Sequence, residues 1–355
     1  MQHSRIIHIM AVEKFTDGFV EFINNNFEEK NHDFLVHGRK KYKIDCLKKR
    51  NVSYRNDIRL YLSRNSNIQS LLSYDKIIIH GLFGEDLISV WCKNKQLLQK
   101  TYIYFYGGDF YPNESKEIKL MSELKKRYVI RNARGIINIL PVENDIMERL
   151  YHVKGEKYYA TYYDEDVIKY YLESSNKEAP QSDVIRIQVG NSATPTNNHK
   201  EVLDVLYKFK NENIIVYAPL SYGDSDYADE VSRYGKRLLG NKFVPIRNYM
   251  NKEDYYDFMK NVDIAIFNVS RQQALGNIYA HIAYQNIIYL RKKSVGTYYL
   301  RKILSCKIRY IEDIGKMSFD QFISQKLEIK QRNAENLLHR LKEDTVIKEW
   351  EQIFQ

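Results

Sequence analysis

Short apolar runs alternate with amphipathic segments along the first half of the chain. The apolar runs predict strands at 6–10, 34–36, 76–79, 102–106 and 135–140, and the amphipathic segments predict helices at 15–27, 87–98, 115–128 and from Glu143 onward. Such alternation is typical of a parallel sheet that helices cover on both faces.

The alternation weakens between about residues 164 and 183 and then resumes. The polar stretch from Glu173 to Pro180 predicts an inter-domain linker. Beyond it the pattern predicts strands at 185–189, 214–218, 243–246, 262–267 and 287–290, helices at 197–210, 227–239, 252–261 and 278–284, and a charged helical tail from about 319. We therefore predict two doubly wound α/β domains, 1–170 and 171–355, with ligands in a cleft at the carboxyl ends of their strands.

Composition supports a globular two-domain protein. The chain has 355 residues, of which 44% are hydrophobic and 28% charged, and its net charge is +10. A basic surface attracts phosphate-bearing partners, but no aromatic–basic repeat of a nucleic-acid module is present, so we expect no nucleic-acid partner. Basic clusters such as 125–127 fit a solvated surface, or contact with an anionic membrane surface.

Three widely spaced cysteines, Cys46, Cys92 and Cys306, predict neither a disulfide framework nor a zinc site. The first residues lack the apolar core of a signal peptide. No apolar stretch approaches the roughly 20 residues that span a bilayer. These features favour a cytoplasmic location.

The loop after the strand at 185–189 is small and rich in hydroxyl groups. It contains Gly190, Asn191 and Ser192 and continues through Asn197 to His199 at a helix start. Backbone N–H groups at a helix start bind phosphate well. An ordinary capped turn explains the same residues, so both interpretations stay open here.

A second loop follows the strand at 262–267 and contains Arg271, Gln272, Gln273, Gly276 and Asn277. Arginine can hold a pyrophosphate through two hydrogen bonds. A glycine at the mouth of the next helix allows a ligand to approach the backbone. A diphosphate site and a structural turn are comparably consistent with this pattern.

In the first half, His80-Gly81 and Gly107-Gly108-Asp109 end two strands. Glycines there open space at the sheet edge, and His80 or Asp109 could take a proton from an acceptor hydroxyl. A turn or cap role is the alternative for both residues.

Motifs of several other enzyme classes are absent or weak. The triplets Asp164-Glu165-Asp166 and Asp224-Ser225-Asp226 could in principle hold a metal, but helix capping explains the second and the first lies in the expected linker. We expect neither a metal nor a cofactor. The glycine-rich, P-loop and nucleophile-elbow patterns of dinucleotide enzymes, kinases and serine hydrolases do not occur.

Several of these short motifs, in this order, resemble the bacterial glycosyltransferases of family 56. The similar stretches are His80-Gly81-Leu82-Phe83, Tyr106 to Tyr111, Val189 to Ser192 with Asn197 and His199, Pro219 with Tyr222-Gly223, and Arg271-Gln272-Gln273 with Gly276. They extend from about residue 80 to about residue 299, and the first seventy residues are similar in pattern only.

The resemblance implies a GT-B fold and transfer from a dTDP-sugar, of the N-acetylfucosamine kind, to a polyprenyl-pyrophosphate-linked acceptor at the inner face of the cytoplasmic membrane. Asp109 or His80 would activate the acceptor hydroxyl, with Gly81, Gly107 and Gly108 beside the acceptor. The donor would contact Gly190, Asn191, Ser192, Asn197, His199, Pro219, Tyr222, Arg271, Gln272, Gln273, Gly276 and Asn277. Asn277 departs from the small hydroxyl residue or glycine of the family.

Two other functions fit the same architecture. One is a nucleotide-sugar epimerase or a phosphorylase, neither of which needs a lipid acceptor. The other is a non-catalytic partner that binds nucleotide-sugar. The pathway also stays open among enterobacterial common antigen, capsule, O-antigen and exopolysaccharide.

Overall fold

The structure, a computed structural model, describes residues 4–39, 44–111, 120–163, 165–174 and 183–355. They form two compact units. The first unit comprises the residues up to Tyr163 together with Lys342–Gln355. The second unit comprises residues 164–341.

A seven-stranded parallel sheet with the order β3-β2-β1-β4-β5-β6-β7 forms the centre of the first unit. Its elements are β1 (Ile6–Ala11), α1 (Thr16–Asn26), β2 (His32–His37), β3 (Val52–Arg55), α2 (Ile58–Leu62), α3 (Asn65–Leu72), β4 (Lys76–His80), α4 (Glu85–Lys93), α5 (Lys95–Leu98), β5 (Thr101–Phe105), α6 (Leu120–Asn132), β6 (Gly135–Asn138), α7 (Val142–Tyr151) and β7 (Glu156–Tyr159). The apolar runs of β4, β5 and β6 are buried on both faces, as parallel strands under two helix layers must be.

The second unit has a six-stranded parallel sheet with the order β10-β9-β8-β11-β12-β13. Its elements are α8 (Glu165–Ser174), β8 (Ile185–Val189), α9 (His199–Leu206), β9 (Ile214–Pro219), α10 (Ser225–Leu239), β10 (Phe243–Ile246), α11 (Lys252–Lys260), β11 (Ile264–Phe267), α12 (Leu275–Ala283), β12 (Ile287–Leu290), α13 (Val295–Tyr298), β13 (Arg309–Tyr310), α14 (Ile311–Ile314), α15 (Phe319–Ile323) and α16 (Leu327–Arg340).

Both sheets reverse their strand order at one point, between β1 and β4 in the first unit and between β8 and β11 in the second. In doubly wound sheets, ligands bind outside the carboxyl ends of the strands at this switch point. The topology therefore directs attention to the loops that follow these four strands. The prediction of two parallel α/β domains is confirmed.

The last helix, α17 (Glu343–Phe354), belongs to the first unit and not to the second, where the sequence had assigned it. Val346, Trp350 and Ile353 form one apolar stripe and are fully buried. The Trp350 ring lies 5.0 Å from that of Phe19 and 5.7 Å from that of Tyr104. Periodicity predicts such a stripe but does not specify which core it covers, which explains the misassignment.

Some predicted elements differ in detail from those observed. α8 occupies part of the expected linker, and Asn94 separates α4 from α5 where one helix was predicted. The helix predicted at 115–128 is observed from Leu120, and its predicted start lies outside the described residues. Across the described parts of the chain, every helix is too short or too polar to cross a bilayer.

Candidate functional site

The loops after β8 and β11 lie side by side at the switch point of the second unit. Val189 is paired with Ile266, so the two strands end together. The Thr196 hydroxyl donates to the Gln273 side-chain oxygen at 2.7 Å, and the Asn198 amide donates to the backbone oxygen of Asn268 at 2.9 Å. The structure thus brings together the two loops that the sequence identified separately.

Asn197 organises the loop after β8 from within. Its side-chain nitrogen donates to the backbone oxygen of Ser192 at 3.1 Å and to the Ser192 hydroxyl at 3.2 Å, and its side-chain oxygen accepts from the Asn191 backbone N–H at 3.3 Å. Asn197 is fully buried. Its role here is to fix the loop, so that any contact between this loop and a ligand falls to its neighbours.

His199 lies beneath Gly190. Gly190 has φ +68°, and a Cβ at this position would be 2.4 Å from His199 Nε2, so only glycine fits. The other ring nitrogen lies 3.2 Å from the Tyr227 hydroxyl. Burial lowers the pKa of His199 to about 4, so the ring is neutral at neutral pH and brings no positive charge to a diphosphate.

Tyr222 and Pro219 shape the adjacent loop after β9. Pro219 is the buried last residue of that strand. The Tyr222 hydroxyl accepts a hydrogen bond from the Asn191 side-chain nitrogen at 3.0 Å. The Tyr222 side chain is nevertheless 57% exposed, so its ring offers a surface on which a base or sugar can stack.

α12 begins at this edge of the sheet without a side-chain cap. The residue before it, Ala274, has φ +60°, which turns the chain sharply out of the Arg271–Gln273 segment. Gly276, in the first turn, is exposed, and a Cβ there would have no atom within 4 Å. The free N–H groups and the positive end of the helix dipole therefore adjoin open space, which is the arrangement that binds anions.

Two buried amide oxygens in these loops have no hydrogen-bond partner in the described structure. They are Oδ1 of Asn191 and Oε1 of Gln272, whose residues are 8% and 7% exposed. Buried polar atoms are nearly always paired, so an unpaired one calls for an explanation. A ligand that supplies N–H or O–H groups, as a nucleoside or a sugar does, would satisfy both oxygens.

A buried chain of hydrogen bonds supports the two loops, and sequence reasoning missed it. The Asn286 amide donates to Nδ1 of His281 at 2.9 Å, which places the ring proton on Nε2. That nitrogen donates to the Gln188 side-chain oxygen at 3.0 Å. The Gln188 nitrogen then donates to the backbone oxygen of Gly190 at 3.0 Å and to the Tyr255 hydroxyl at 3.3 Å.

This chain of hydrogen bonds ends at Asn277, in the first turn of α12. The Tyr255 hydroxyl donates to the Asn277 side-chain oxygen at 2.5 Å. Asn277 therefore anchors α12 to α11, which gives this residue a structural role. The signal available in the sequence was a polar Gln188 and a polar His281 inside largely apolar runs.

In the first unit, Asp109 joins the loops after β4 and β5. Its carboxylate accepts the backbone N–H of Leu82 at 3.1 Å and that of Tyr106 at 3.0 Å. Asp109 is 3% exposed, and burial raises the pKa of its carboxyl group to about 6, although the backbone N–H groups act in the opposite direction.

His80 was expected to face a ligand, but the structure buries it. His80 is buried in a chain that runs from His32 through His8 and His80 to Tyr162 and Tyr106. Both ring nitrogens of His80 have hydrogen-bond partners. Nε2 lies 3.0 Å from His8 Nδ1, and Nδ1 contacts the Tyr162 hydroxyl. Burial lowers the pKa of His80 to about 3 and that of His32 to about 4. Aromatic packing explains the difference, since the rings of Phe19, Tyr104 and Trp350 lie 4.8, 5.6 and 6.2 Å from that of His80 and cover it.

Two glycines at this edge, Gly81 and Gly107, have the positive φ angles that favour glycine. Gly81 has φ +86°, and a Cβ there would lie 2.7 Å from the Phe83 ring. Gly107 has φ +94°, and Gly108 is exposed. They shape the loops at this edge of the sheet, and their place beside an acceptor stays a prediction.

Glu143 is a further buried acid that sequence reasoning treated only as a helix start. Its carboxyl group accepts from the Tyr111 hydroxyl at 3.1 Å and from the Leu140 backbone N–H at 3.2 Å. Burial raises its pKa to about 8, and the nearby negative charge of Asp109 acts in the same direction. The first unit thus contains two buried carboxyl groups with raised pKa values, those of Asp109 and Glu143.

The two acidic triplets have other roles where they are described. Asp224 caps α10 by accepting the Tyr227 backbone N–H at 2.9 Å, and Asp166 pairs with Lys252. Asp164 lies outside the described residues. Within the described ranges, no group of three or more potential metal ligands comes together.

Two Rossmann-like units of this kind form the architecture of the GT-B glycosyltransferases. The chain belongs to glycosyl transferase group 56, the family of the 4-alpha-L-fucosyltransferases. The sequence profile of that family matches residues 4–300, including the first seventy residues, where the similarity had been one of pattern alone.

Solved structures share the whole fold. A glycosyltransferase from Rickettsia africae is 12% identical, with a TM-score of 0.70, over 100% of this chain and 98% of its own. Sucrose-phosphate synthase from Thermosynechococcus elongatus is 10% identical, with a TM-score of 0.68, over 99% and 98%. HepE from Anabaena, solved with UDP and glucose, is 10% identical, with a TM-score of 0.66, over 99% of both chains.

Proposed function

We propose that this glycosyltransferase moves an N-acetylated deoxy sugar from a dTDP-sugar to a polyprenyl-pyrophosphate-linked saccharide, and that it acts in surface polysaccharide synthesis at the inner face of the cytoplasmic membrane. Family membership supports sugar transfer, and HepE, solved with UDP and glucose, supports a nucleotide-linked donor. The observation that carries the donor site is the bare start of α12, open at Gly276 and preceded by Arg271.

The donor-side residues divide into two groups by chemistry. The first-turn N–H groups of α12 and the Arg271 guanidinium supply the hydrogen-bond donors that a diphosphate requires. The unpaired oxygens of Asn191 and Gln272 supply acceptors for hydroxyl or N–H groups of the nucleoside and sugar. Tyr222 offers its exposed ring for stacking. The other residues of the two loops hold these groups in place.

Departure of the nucleoside diphosphate leaves negative charge on its terminal phosphate. The α12 dipole and Arg271 would stabilise that charge, which is the role a divalent metal has elsewhere. Transfer should then continue in excess EDTA. Activity that disappears with EDTA and returns with Mn²⁺ or Mg²⁺ would contradict this assignment.

On the acceptor side, Asp109 remains the proposed base and His80 is assigned a supporting role. A carboxylate with a pKa near 6 is ionised at neutral pH and is a stronger base than an ordinary aspartate. The two backbone bonds to Asp109 leave lone pairs for an acceptor hydroxyl. Asp109→Asn should lower kcat more than it changes KM. An unchanged kcat would remove Asp109 from the chemistry.

Donor turnover with and without a lipid-linked acceptor tests the proposed function. We expect dTDP release only when dTDP-sugar and polyprenyl-pyrophosphate-linked saccharide are both present, together with a product extended by one sugar. Turnover without acceptor would indicate an epimerase or a hydrolytic enzyme. Donor binding without turnover under any condition would indicate a non-catalytic partner. Parallel assays with UDP-sugars test whether the enzyme selects thymine as the nucleobase of its donor.

A further inference from the structure

α6 carries apolar side chains on two opposite faces. Val129 and Ile130 are buried against the first unit. Leu120, Met121, Leu124 and Tyr128 are 72%, 66%, 50% and 44% exposed. Their spacing places these four within about 100° of the helix circumference, away from the buried face.

This exposed stripe differs from ordinary exposed leucines. Leu60 in α2 and Leu327 in α16 are 62% and 58% exposed, but each is the single exposed leucine of its helix. Scattered apolar residues on a surface are normal, whereas a continuous apolar patch marks a contact with a partner or a membrane. The four α6 residues form such a continuous apolar patch, which we call the α6 stripe.

The charges around the α6 stripe select its occupant. α6 has four basic residues, of which Lys125 and Lys126 are half-buried and Arg127 and Arg131 are exposed, and one acidic residue, Glu123. Arg127 also bonds to Glu123 at 3.1 Å. The chain as a whole carries +10, which favours an anionic surface over a second copy of the chain as the occupant.

The topology places the start of the α6 stripe near the proposed acceptor. β5 and β6 are parallel neighbours with α6 between them in the chain, so α6 starts at the carboxyl edge of the sheet. The loop after β4 lies at the same edge and exposes Phe83. A lipid-linked acceptor would present its sugar at this edge while its lipid stays in the membrane.

We propose that α6 docks the protein on an anionic lipid bilayer by inserting the α6 stripe into the headgroup region. This inference rests on the proposed function, because a membrane-embedded acceptor is what makes such docking useful. It differs from attraction by surface charge alone. Large apolar side chains flanked by lysine and arginine are the pattern of helices that lie in the membrane interface, and tyrosine is enriched there.

Vesicle flotation tests the proposal. The probes are vesicles of phosphatidylcholine with a minority of phosphatidylglycerol, and vesicles of phosphatidylcholine alone. The variant is L120S/L124S, and the matched control is L60S/L327S, which removes two equally exposed leucines elsewhere. We expect wild type and control to float with the anionic vesicles. We expect the partition coefficient of the variant to fall at least about tenfold, because less apolar surface enters the bilayer.

Salt separates insertion from simple charge attraction. Exposed charges are screened within about 3 Å at 1 M salt, whereas inserted apolar side chains are not. After wild-type protein has bound to the anionic vesicles, a measurable fraction should stay bound when the salt concentration is raised to 1 M. L120S/L124S should dissociate from the vesicles under the same conditions. A variant that floats like wild type, or wild type that leaves the vesicles completely in strong salt, would overturn the proposal. So would a wild-type dimer that L120S/L124S abolishes without any vesicle binding.

Failure of this inference is distinguishable from failure of the proposed function. L120S/L124S should bind dTDP as wild type does and should transfer sugar to a detergent-dispersed acceptor, because the substitutions lie in the first unit on a solvent-facing helix surface. Normal flotation without dTDP binding would count against the proposed donor. Normal dTDP binding without flotation would count against docking through α6.

Discussion

Gly276→Ala should strengthen the fold and weaken donor binding at the same time. A Cβ at Gly276 meets no atom within 4 Å, so the methyl group fits without strain. Alanine is favoured over glycine in helices by about 0.8–1 kcal/mol, so the free energy of unfolding should rise by up to that amount. The methyl group would, however, occupy the space where the diphosphate approaches the first turn of α12.

The loss of affinity follows from the hydrogen bonds that the methyl group would displace. A hydrogen bond to a charged group contributes about 1.5–3 kcal/mol, so disturbing even one should weaken dTDP binding about tenfold or more. Calorimetry with dTDP and urea unfolding measure the two effects. Gly18→Ala is the matched control, since Gly18 lies in α1 and also has no atom near its missing Cβ. A stabilised Gly276→Ala variant with wild-type affinity for dTDP would refute the reasoning.

Three further predictions concern Arg271 in the same site and two buried residues of the first unit. Arg271→Ala should weaken dTDP binding by about 1.5–3 kcal/mol in calorimetry, and unchanged affinity would remove Arg271 from the site. The pKa of Glu143 is raised from 4.5 to about 8 in the folded protein, so its contribution to stability is present at low pH and lost as pH rises through 8. Glu143→Gln should flatten urea-unfolding stability between pH 5 and 8 relative to wild type, and an unchanged slope would contradict that pKa. Trp350→Ala should destabilise the first unit by about 3–5 kcal/mol in the same assay, whereas a loss below about 1 kcal/mol would show that α17 is dispensable.

Periodicity predicted the central strands well because burial on both faces leaves a strong apolar signal. The strands at 243–246 and 287–290 are observed with the predicted bounds. β3 and β7 were missed because they are edge strands with alternating exposed residues, so their apolar runs are broken. The position of α17 could not be predicted, because its partner residues are distant in the chain.

The candidate site could be predicted in part for the same reason. Gly190 and Arg271 follow strong strands, so their loops were located correctly at the carboxyl edge of a sheet. The hydrogen-bond chain from His32 to Tyr106 could not be predicted from the sequence, because its hydrogen bonds join residues that are 24 to 82 positions apart. His80 was consequently expected at a surface when the fold buries it.

Hydrogen–deuterium exchange with and without dTDP tests the central claim most directly, because it locates the bound nucleotide without any substitution. The donor site proposed at the switch point of the second unit predicts slower exchange in peptides that cover 190–199 and 271–277. Peptides of the first-unit strands should exchange at unchanged rates. Tight dTDP binding that protects neither of the two segments would contradict the proposed site.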